Sequence, residues 1–328
     1  MDKLYKIKKR GLNRFLKGLQ KKSQLYAPVK TDAVRFEKID DIDKIYLKEQ
    51  ADIPVKGFFF RKKEVLFNFK GNSITANTKT MPERVFFGLR RCDLNAIKHQ
   101  NFIFTERYND PYYKAQRENA ILLGYHCDSA PSEYCFCGSM NLEDYYDLMF
   151  WEKEDHYLVH VGSEKGEVLL TRDFKQTDID LTPEMKHIEN TDRLKKRRIK
   201  DLYNNPGWKE GVNKCLSCAA CTTLCPTCYC HEIKDEVSLS DLKQGKRVRE
   251  WSSCQLKSFT RVAGNFVFRE AREERFKHRI YHQLQYFKER YDIEMCVGCG
   301  RCITHCPTKI DFIDMINRMN KENEQPKQ

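Results

Sequence analysis

The sequence predicts an α+β protein, with a mixed α/β domain over residues 1–200 and a domain over residues 201–328 whose linking segments are helical. Three observations support this prediction. Apolar runs of strand length alternate with helical patterns in the first part, a cysteine motif occurs twice in the second part, and an amphipathic helical pattern separates the two copies. The polar stretch 177–205, which contains the basic run 193–200, is a predicted hinge between the domains.

Hydrophobic periodicity defines the elements of the first domain. A helix is predicted where apolar residues recur at intervals of three and four, at Leu12, Phe15, Leu16 and Leu19. Short strands are predicted at Val65–Phe69, Val85–Leu89 and Ala120–Leu123. A second helix is predicted at Asp93–His99, with Asp93 as its candidate cap.

Composition narrows the class of protein. The chain has 328 residues, 15 cysteines and a formal net charge of +12. No apolar run is long enough for a signal peptide or a membrane span, so we expect a cytoplasmic protein without membrane insertion. Cytosolic thiols are kept reduced, so the many cysteines indicate metal binding rather than a disulfide framework. The basic segments 193–200 and 246–279 would suit docking to acidic partner surfaces.

The strongest signal is an internal repeat of cysteines. The pattern C-x2-C-x2-C-x3-C-P begins at Cys215 and again at Cys296, 81 positions later. Three closely spaced thiolates can hold three corners of one [4Fe-4S] cluster, while the fourth cysteine, followed by proline, points towards the cluster of the other motif. The sequence therefore predicts two [4Fe-4S] clusters. The predicted ligands are Cys215, Cys218, Cys221 and Cys306 for one cluster, and Cys296, Cys299, Cys302 and Cys225 for the other.

Zinc is the alternative metal for such cysteines. Zinc sites usually have two separated C-x2-C pairs, whereas here four cysteines and a trailing proline are packed into one short run, which favours iron and sulfide. Gly298 and Gly300 would let the second loop wrap closely around inorganic sulfide.

The segment between the two motifs bears on the fold around them. An amphipathic helix is predicted over Phe266–Tyr291, from apolar residues at Phe276, Ile280, Leu284 and Phe287. About seventy residues separate the two motifs, which is a longer separation than in small two-cluster ferredoxins. These residues are predicted to be helical. The domain therefore resembles the alpha-helical ferredoxin domains of multi-subunit respiratory and anaerobic enzymes.

A third metal site is predicted in the first domain, from Cys92, Cys127, Cys135 and Cys137. Cys92 follows one predicted strand and Cys127 follows another, so loops at one edge of a sheet would bring the four thiols together. Four soft ligands favour a third [4Fe-4S] cluster. Ordinary buried thiols and a zinc site are the alternatives.

Three cysteines remain, Cys228, Cys230 and Cys254. Free cysteine is among the residue types most often buried. We therefore expect Cys228 and Cys230 to pack beside the clusters or to tune them through S–H contacts, rather than to serve as ligands. Cys254 is a weaker ligand candidate still.

Longer stretches resemble one protein family. The segments that carry the resemblance in the second domain are Leu216–Cys230, Arg249–Cys254, Ala263–Phe266 and Cys296–Cys302. Those in the first domain are Tyr26–Val29, Phe87–Leu94, Asp110–Tyr113 and Cys135–Met140. Together they resemble the iron-sulfur beta subunit of soluble NiFe hydrogenases (sulfhydrogenases) and the closely similar iron-sulfur subunit of anaerobic sulfite reductase. Ala219 stands where the family usually has glycine.

The resemblance implies an electron-transfer subunit without a catalytic centre of its own. In that family the subunit passes electrons between a flavin subunit that meets NAD(P)H and a catalytic redox subunit. The catalytic partner would be a NiFe hydrogenase or, as the alternative, an anaerobic sulfite reductase. The resemblance also implies an anaerobic host. Cluster potentials span about −700 to +450 mV, so two or three clusters can bridge such partners.

Two other functions compete with this interpretation. Nucleic-acid binding would draw on the net charge and the basic run 193–200, but such runs are usually solvated and no recognition-helix or aromatic-platform pattern occurs. We therefore expect no nucleic acid as a partner. A self-contained iron-sulfur reductase would need its own flavin or substrate site, and no G-x-G-x-x-G or P-loop motif occurs.

Overall fold

The computed structural model describes residues 3–324 and has an α+β architecture. The strands in this range are β1 (Lys3–Lys8), β2 (Gln24–Lys30), β3 (Val34–Lys38), β4 (Lys63–Lys70), β5 (Ser73–Ala76), β6 (Arg84–Leu89), β7 (Ala120–Tyr125), β8 (Leu148–Glu152), β9 (His156–Val161), β10 (Lys175–Asp180), β11 (His231–Val237) and β12 (Gln244–Trp251). The helices are α1 (Lys9–Lys22), α2 (Arg91–Asn101), α3 (Pro111–Arg117), α4 (Glu164–Val168), α5 (Pro183–Lys186), α6 (Trp208–Lys214), α7 (Ala220–Thr223), α8 (Arg272–Tyr281), α9 (Phe287–Tyr291), α10 (Arg301–Thr304) and α11 (Phe312–Glu324). Within residues 3–324, no helix combines the length and the apolar character needed to cross a bilayer.

Eight strands form one mixed sheet in the order β10-β1-β9-β8-β7-β6-β2-β3. Its centre is parallel, because β2 pairs with β6, β6 with β7 and β7 with β8 in parallel register. Strands β6 and β7 are buried along their whole length, as expected of parallel strands that are covered on both faces. Since α2 and α3 connect these two strands, the carboxyl ends of β6 and β7 meet at one edge of the sheet.

The predicted elements of the first domain are present. Helix α1 buries the predicted apolar positions, and its side chains pack with residues of β6 and β8 on one face of the sheet. A second core, which includes Phe86, Leu94 and Trp151, fills the other face. The predicted strands fall within β4, β6 and β7, so these predictions are confirmed.

A smaller antiparallel sheet has the order β11-β12-β4-β5. Strands β11 and β12 lie between the two cysteine motifs, so the prediction that this whole segment is helical is wrong. The hairpin is stabilised by cross-strand ion pairs such as Arg247 with Asp235 at 2.8 Å, and β11 is largely exposed. It therefore lacks the apolar alternation that would predict a strand. The division at residue 200 stays a prediction, and this sheet draws strands from both sides of it.

The helix predicted over Phe266–Tyr291 begins later, at Arg272. It runs as α8, a π-helical turn over residues 282–286 and α9, and it buries the four predicted apolar positions. The residues before it form a turn, because Gly264 and Asn265 adopt left-handed backbone angles with φ of +75° and +63°. Glu274 then accepts a hydrogen bond from Ala271 N at 3.0 Å, which fixes the helix start.

The predicted hinge is not a free linker. Its first residues belong to β10, which pairs with β1 in the large sheet. Apolar side chains along the rest of the stretch are buried, at Leu181, Ile188, Leu194, Ile199 and Leu202. Arg197 also forms an ion pair with Glu294 at 3.0 Å. The prediction of a hinge is therefore wrong. In the sequence, the charged residues that alternate with these buried apolar residues gave the stretch the character of an exposed linker.

Candidate metal centre

The two cysteine motifs share one backbone conformation. Ser217 and Gly298 occupy equivalent positions and are both left-handed, with φ of +51° and +64°. The same holds for Ala219 and Gly300, with φ of +68° and +72°. Glycine adopts this region freely, whereas serine and alanine are strained there. A four-residue helix follows in each copy, and these helices, α7 and α10, contact each other. The repeat thus extends from cysteine spacing to backbone geometry.

Hydrogen bonds to sulfur are repeated as well. In both motifs the N–H two residues after the first cysteine donates to the Sγ of that cysteine at 3.4 Å. A threonine hydroxyl two residues after the fourth cysteine lies near that Sγ, at 3.2 Å for Thr227 and 3.5 Å for Thr308. Hydrogen bonds of this kind stabilise thiolate charge and shift the potential of a bound cluster.

One cavity lies between the two motifs. Eight cysteines line it, namely Cys215, Cys218, Cys221, Cys225, Cys296, Cys299, Cys302 and Cys306. Phe276 and Ile280 contribute apolar wall, and Arg279 and Gln283 supply polar groups. Soft sulfur ligands around a largely apolar cavity suit an iron-sulfur cluster better than a hydrated cation.

The fourth cysteine of the first motif lies with the second motif. Burial is the main cause that raises the pKa of Cys296 to about 12, and Cys225 is among the neighbouring thiols that add to the shift. Burial likewise raises the pKa of Cys299, with Cys225 again a neighbour. For Cys225 itself, burial acts in the same direction but is outweighed by cations, chiefly Arg279, so its pKa lies below the usual value. This is the position that exchange of the fourth ligand requires.

Arg279 is a cation that lies beside cysteines of both motifs. Its Nε and Nη2 donate to the carbonyl oxygen of Cys221 at 3.2 and 2.9 Å, and its guanidinium lines the cavity. Burial acts to lower its pKa, but Cys225 and Cys221 outweigh burial and raise it well above the usual value. A fixed positive charge next to two anionic ligand sets favours the reduced state of clusters held there.

Sequence reasoning missed the roles of Arg279, Gln283 and Lys56 beside the motifs, and it assigned Arg279 to a basic docking segment instead. Gln283 accepts a hydrogen bond from the Thr227 hydroxyl at 2.9 Å. Arg279 and Gln283 lie four residues apart, beside buried positions of the amphipathic helix. This spacing was a signal in the sequence that the two residues face the motifs. Lys56 is buried, donates to the carbonyl oxygen of Cys228 at 3.3 Å, and has its pKa lowered by burial. No pattern in the sequence connected Lys56 with the motifs.

The four cysteines of the proposed third site lie at the carboxyl edge of the central strands. Cys92 is in the first turn of α2, Cys127 follows β7, and Cys135 and Cys137 occupy the loop before β8. Burial raises the pKa of Cys137 to about 12, with Cys135 and Cys127 as further causes. Burial also raises the pKa of Cys92, and Cys137 is one of its neighbours. The structure therefore brings all four thiols into one neighbourhood.

This quartet adjoins the second cysteine motif. Phe136 N donates to Gly298 O at 2.8 Å, and the Sγ of Cys135 lies 3.8 Å from Cys299 O. A Cβ at Gly298 would come within 2.6 Å of the Cys137 backbone, and one at Gly300 would meet the preceding loop at 2.7 Å. Both glycines are therefore needed for the close approach of the two loops.

A buried ion pair lies at the same junction. Arg301 and Asp93 are paired at 2.9 Å, and both side chains are 1% exposed. Arg301 also donates to Ala51 O at 2.7 Å, and it lies close to the thiols of Cys299 and Cys92. The prediction that Asp93 caps α2 is wrong, because the helix begins at Arg91 and Asp93 lies inside its first turn. Its carboxylate instead compensates a buried cation.

The three remaining cysteines also group together. Cys228 and Cys254 are buried, and Cys230 is partly buried. The hydrogen bond with Cys230, followed by burial, raises the pKa of Cys228 well above the usual value. Cys230 has both of the other thiols as hydrogen-bond partners. Of the three, Cys228 lies next to Cys225 and Cys221, so it contributes to the surroundings of the first motif.

Among residues 3–324, no three His, Cys, Asp or Glu side chains converge closely enough to hold a single metal ion. Tetrahedral zinc needs its thiolates at about 2.3 Å from one ion. A [4Fe-4S] core is larger, and cysteines spread around a cavity fit it better.

Comparison with known proteins places this geometry in a class. The family of 4Fe-4S dicluster domains matches residues 214–310, which include both cysteine motifs. The fold and the site thus define an iron-sulfur protein with a 4Fe-4S dicluster domain. Over nearly its whole length, the chain is 32% identical to sulfhydrogenase 2 subunit beta from Pyrococcus furiosus, across 94% of this chain and 95% of the relative. The chain belongs to the family of sulfhydrogenase iron-sulfur beta subunits. No solved structure gives a significant match.

Proposed function

We propose that this chain relays electrons between a flavin subunit that meets NAD(P)H and a NiFe hydrogenase subunit of the same complex. The observation that carries the proposal is the single cavity lined by both cysteine motifs. Family membership supports the same role, because the relative is the beta subunit of a sulfhydrogenase. A [4Fe-4S] cluster bound there would supply one-electron transfer. The chain's own residues hold the ligands, compensate their charge and exclude water.

The proposed ligands follow the exchanged pattern. Cys215, Cys218, Cys221 and Cys306 would hold one cluster, and Cys296, Cys299, Cys302 and Cys225 the other. Support for the exchange comes from the placement of Cys225 beside the second triplet. Thr227 and Thr308 would then each bond to an exchanged ligand, which gives the two sites matched surroundings.

A third [4Fe-4S] cluster is proposed at Cys92, Cys127, Cys135 and Cys137. Three features support it: the four thiols share one neighbourhood, the loop of Cys135 and Cys137 contacts the second motif, and Arg301 supplies a buried positive charge between them. Soft ligands in such a group favour iron-sulfur binding. The three ligand sets would then lie next to one another in this order: the quartet of Cys92, Cys127, Cys135 and Cys137, then the second motif, then the first motif.

Purification from the native host tests this function. The tagged chain would be isolated without oxygen, and the accompanying subunits identified by mass spectrometry. Recovery of a NiFe hydrogenase pair together with a flavin subunit is the expected result. Recovery of a sirohaem sulfite reductase would show that the catalytic partner is a sulfite reductase and not a NiFe hydrogenase. A chain that purifies alone, binds flavin and turns over with an artificial donor would overturn the relay and favour a self-contained reductase.

A further inference from the structure

Three cysteines that the proposed clusters do not use form a group of hydrogen-bonded thiols. They are Cys228, Cys230 and Cys254, which we call the thiol trio. The sulfur of Cys230 has the thiols of the other two as hydrogen-bond partners, and the backbone N–H of Cys254 bonds to it as well. Cys228 and Cys254 are buried, whereas Cys230 is partly exposed. The trio therefore places a thiol that solvent can reach between two thiols that it cannot.

The end of the β11–β12 hairpin brings Cys230 and Cys254 together. His231 pairs with Trp251 at this end, and Ser252 N donates to Cys230 O at 3.0 Å. Cys254 follows two residues later and directs its N–H to the sulfur of Cys230. Sulfur atoms in hydrogen-bond contact need only side-chain rotation to reach the S–S bond length of about 2.0 Å.

Cys228 is a less suitable partner for Cys230. Its backbone belongs to the turn after the first motif, because Cys228 N donates to Cys225 O at 3.4 Å and Lys56 Nζ donates to Cys228 O at 3.3 Å. Only one residue separates Cys228 from Cys230. An S–S bond between such close neighbours departs from the preferred disulfide geometry and is strained.

A buried ammonium group lies beside the trio. Lys56 Nζ lies 4.2 Å above the ring of Trp251, and its charge interacts with the thiols of Cys228 and Cys230. A neighbouring positive charge favours the thiolate, which is the reactive form of a cysteine side chain. The surroundings of the trio are therefore those of reactive thiols rather than of an apolar core.

The trio also adjoins the ligands of the proposed clusters. Cys228 lies next to Cys225 and Cys221, which are proposed ligands of different clusters. In the part of the chain that the structure describes, no three metal-ligating side chains surround one point closely enough to hold a single ion. The trio is therefore not arranged as a further mononuclear site, and its sulfurs are available for chemistry of their own.

We propose that Cys230 and Cys254 form a dithiol–disulfide couple that exchanges two electrons with the clusters. On oxidation, two S–H bonds break and one S–S bond forms. The two protons leave to the solvent that reaches Cys230, and one electron passes to each of two oxidised clusters. Reduction reverses these steps. The proposal rests on the relay function for its electrons, and it adds a store that holds an electron pair without a change of net charge, because two protons accompany the pair.

Redox poising with thiol labelling tests the couple in the unchanged protein. The anaerobic holoprotein would be equilibrated with mediators at a series of potentials, quenched in acid with N-ethylmaleimide and digested for mass spectrometry. We expect peptides linked through Cys230 and Cys254 at high potential, and labelled thiols at low potential. The ratio of linked to labelled peptide should change tenfold for every 30 mV, approximately, as in a two-electron couple, whereas a one-electron couple needs about 59 mV.

Reductive titration counts the stored electrons. The oxidised holoprotein, titrated with reduced methyl viologen, should take up two electrons per chain beyond those that its clusters account for. Cys254→Ser should lose both these electrons and the linked peptide. Cys228→Ser is the matched control and should retain both, because it removes the thiol that is not paired. All variants should keep the iron content and visible spectrum of the unchanged protein.

Three results would overturn the couple. They are labelled thiols at Cys230 and Cys254 at every potential, a link between Cys228 and Cys230 instead, and an electron uptake that the clusters explain completely. Failure of the relay is distinguishable, because a protein without iron-sulfur absorption contradicts the relay itself. Normal clusters without the linked peptide contradict only the couple.

Discussion

The guanidinium of Arg279 is fixed to the carbonyl oxygen of Cys221 by two hydrogen bonds, at 3.2 and 2.9 Å. Through this pair, a residue of the helix between the motifs holds the loop of the first motif while its charge faces the cysteines of both. Fixed charge of this kind costs no reorganisation when an electron arrives. The relationship explains why a cation is placed on the buried side of an amphipathic helix.

Replacing Arg279 should therefore shift the cluster potentials. We expect Arg279→Gln to lower the midpoint potential of at least one cluster by roughly 60 mV, which is a tenfold change in a one-electron equilibrium. Arg279→Lys should retain most of the potential, since it keeps the charge. EPR-monitored redox titration measures the shift. Arg290→Gln, an exposed change on the same helical segment, is the control, and equal potentials in all variants would contradict the electrostatic role.

The exchange of fourth ligands can be tested by pairing variants. If Cys225 serves the second cluster, Cys225→Ser and Cys299→Ser should perturb the same EPR signal of the reduced protein. Cys306→Ser and Cys218→Ser should then perturb the other signal. Ligation within each motif predicts the opposite grouping, in which Cys225→Ser follows Cys218→Ser. Freeze-quenched spectra of the four variants decide between the two patterns.

The proposal of a third cluster predicts how many iron and sulfide atoms each chain contains. Three [4Fe-4S] clusters correspond to about twelve iron and twelve sulfide per chain. Cys137→Ala should reduce each by about four, whereas Cys254→Ala, which removes a buried thiol outside the proposed ligands, should leave both unchanged. Elemental analysis with sulfide determination gives the numbers. About eight of each in the unchanged protein would exclude the third site.

The left-handed residues of the two motifs should respond in opposite ways. Ala219 holds a conformation that costs about 1–2 kcal/mol for a residue with a Cβ, so Ala219→Gly should raise the midpoint temperature of cluster loss. Gly300→Ala should lower it, because the new Cβ would meet the loop before Cys135 at 2.7 Å. Visible absorption during heating follows both variants. A stabilising Gly300→Ala would contradict the close approach of the loops.

Much of the metal centre could be predicted from the sequence because its information is local. The spacing within each cysteine motif specifies a loop around a cluster, and the repeat makes the pairing evident. Helix α1 was equally accessible, since Leu12, Phe15 and Leu16 mark one buried stripe. In each case, residues close together in the chain determine the structure.

The remaining features depend on distant residues. Strand β11 is largely exposed, so its polar sequence gave no alternation, and its pairing with β12 becomes evident only in the folded sheet. Asp93 suits a helix cap by type, but its partner Arg301 lies 208 positions away. Lys56 lies in a 3-10 helix over Val55–Phe58, far from the first motif in the chain, and its ammonium group contacts the carbonyl oxygens of Thr222 and Cys228. Charge compensation across such separations has no signature in the local pattern.

The metal and sulfide content of the anaerobically purified chain, measured with its visible spectrum before and after dithionite, tests the iron-sulfur relay most directly. We expect iron and acid-labile sulfide in equal amounts, at least about eight of each per chain, with broad sulfide-to-iron absorption that bleaches on reduction. Stoichiometric zinc without sulfide, and no absorption that responds to dithionite, would contradict the relay.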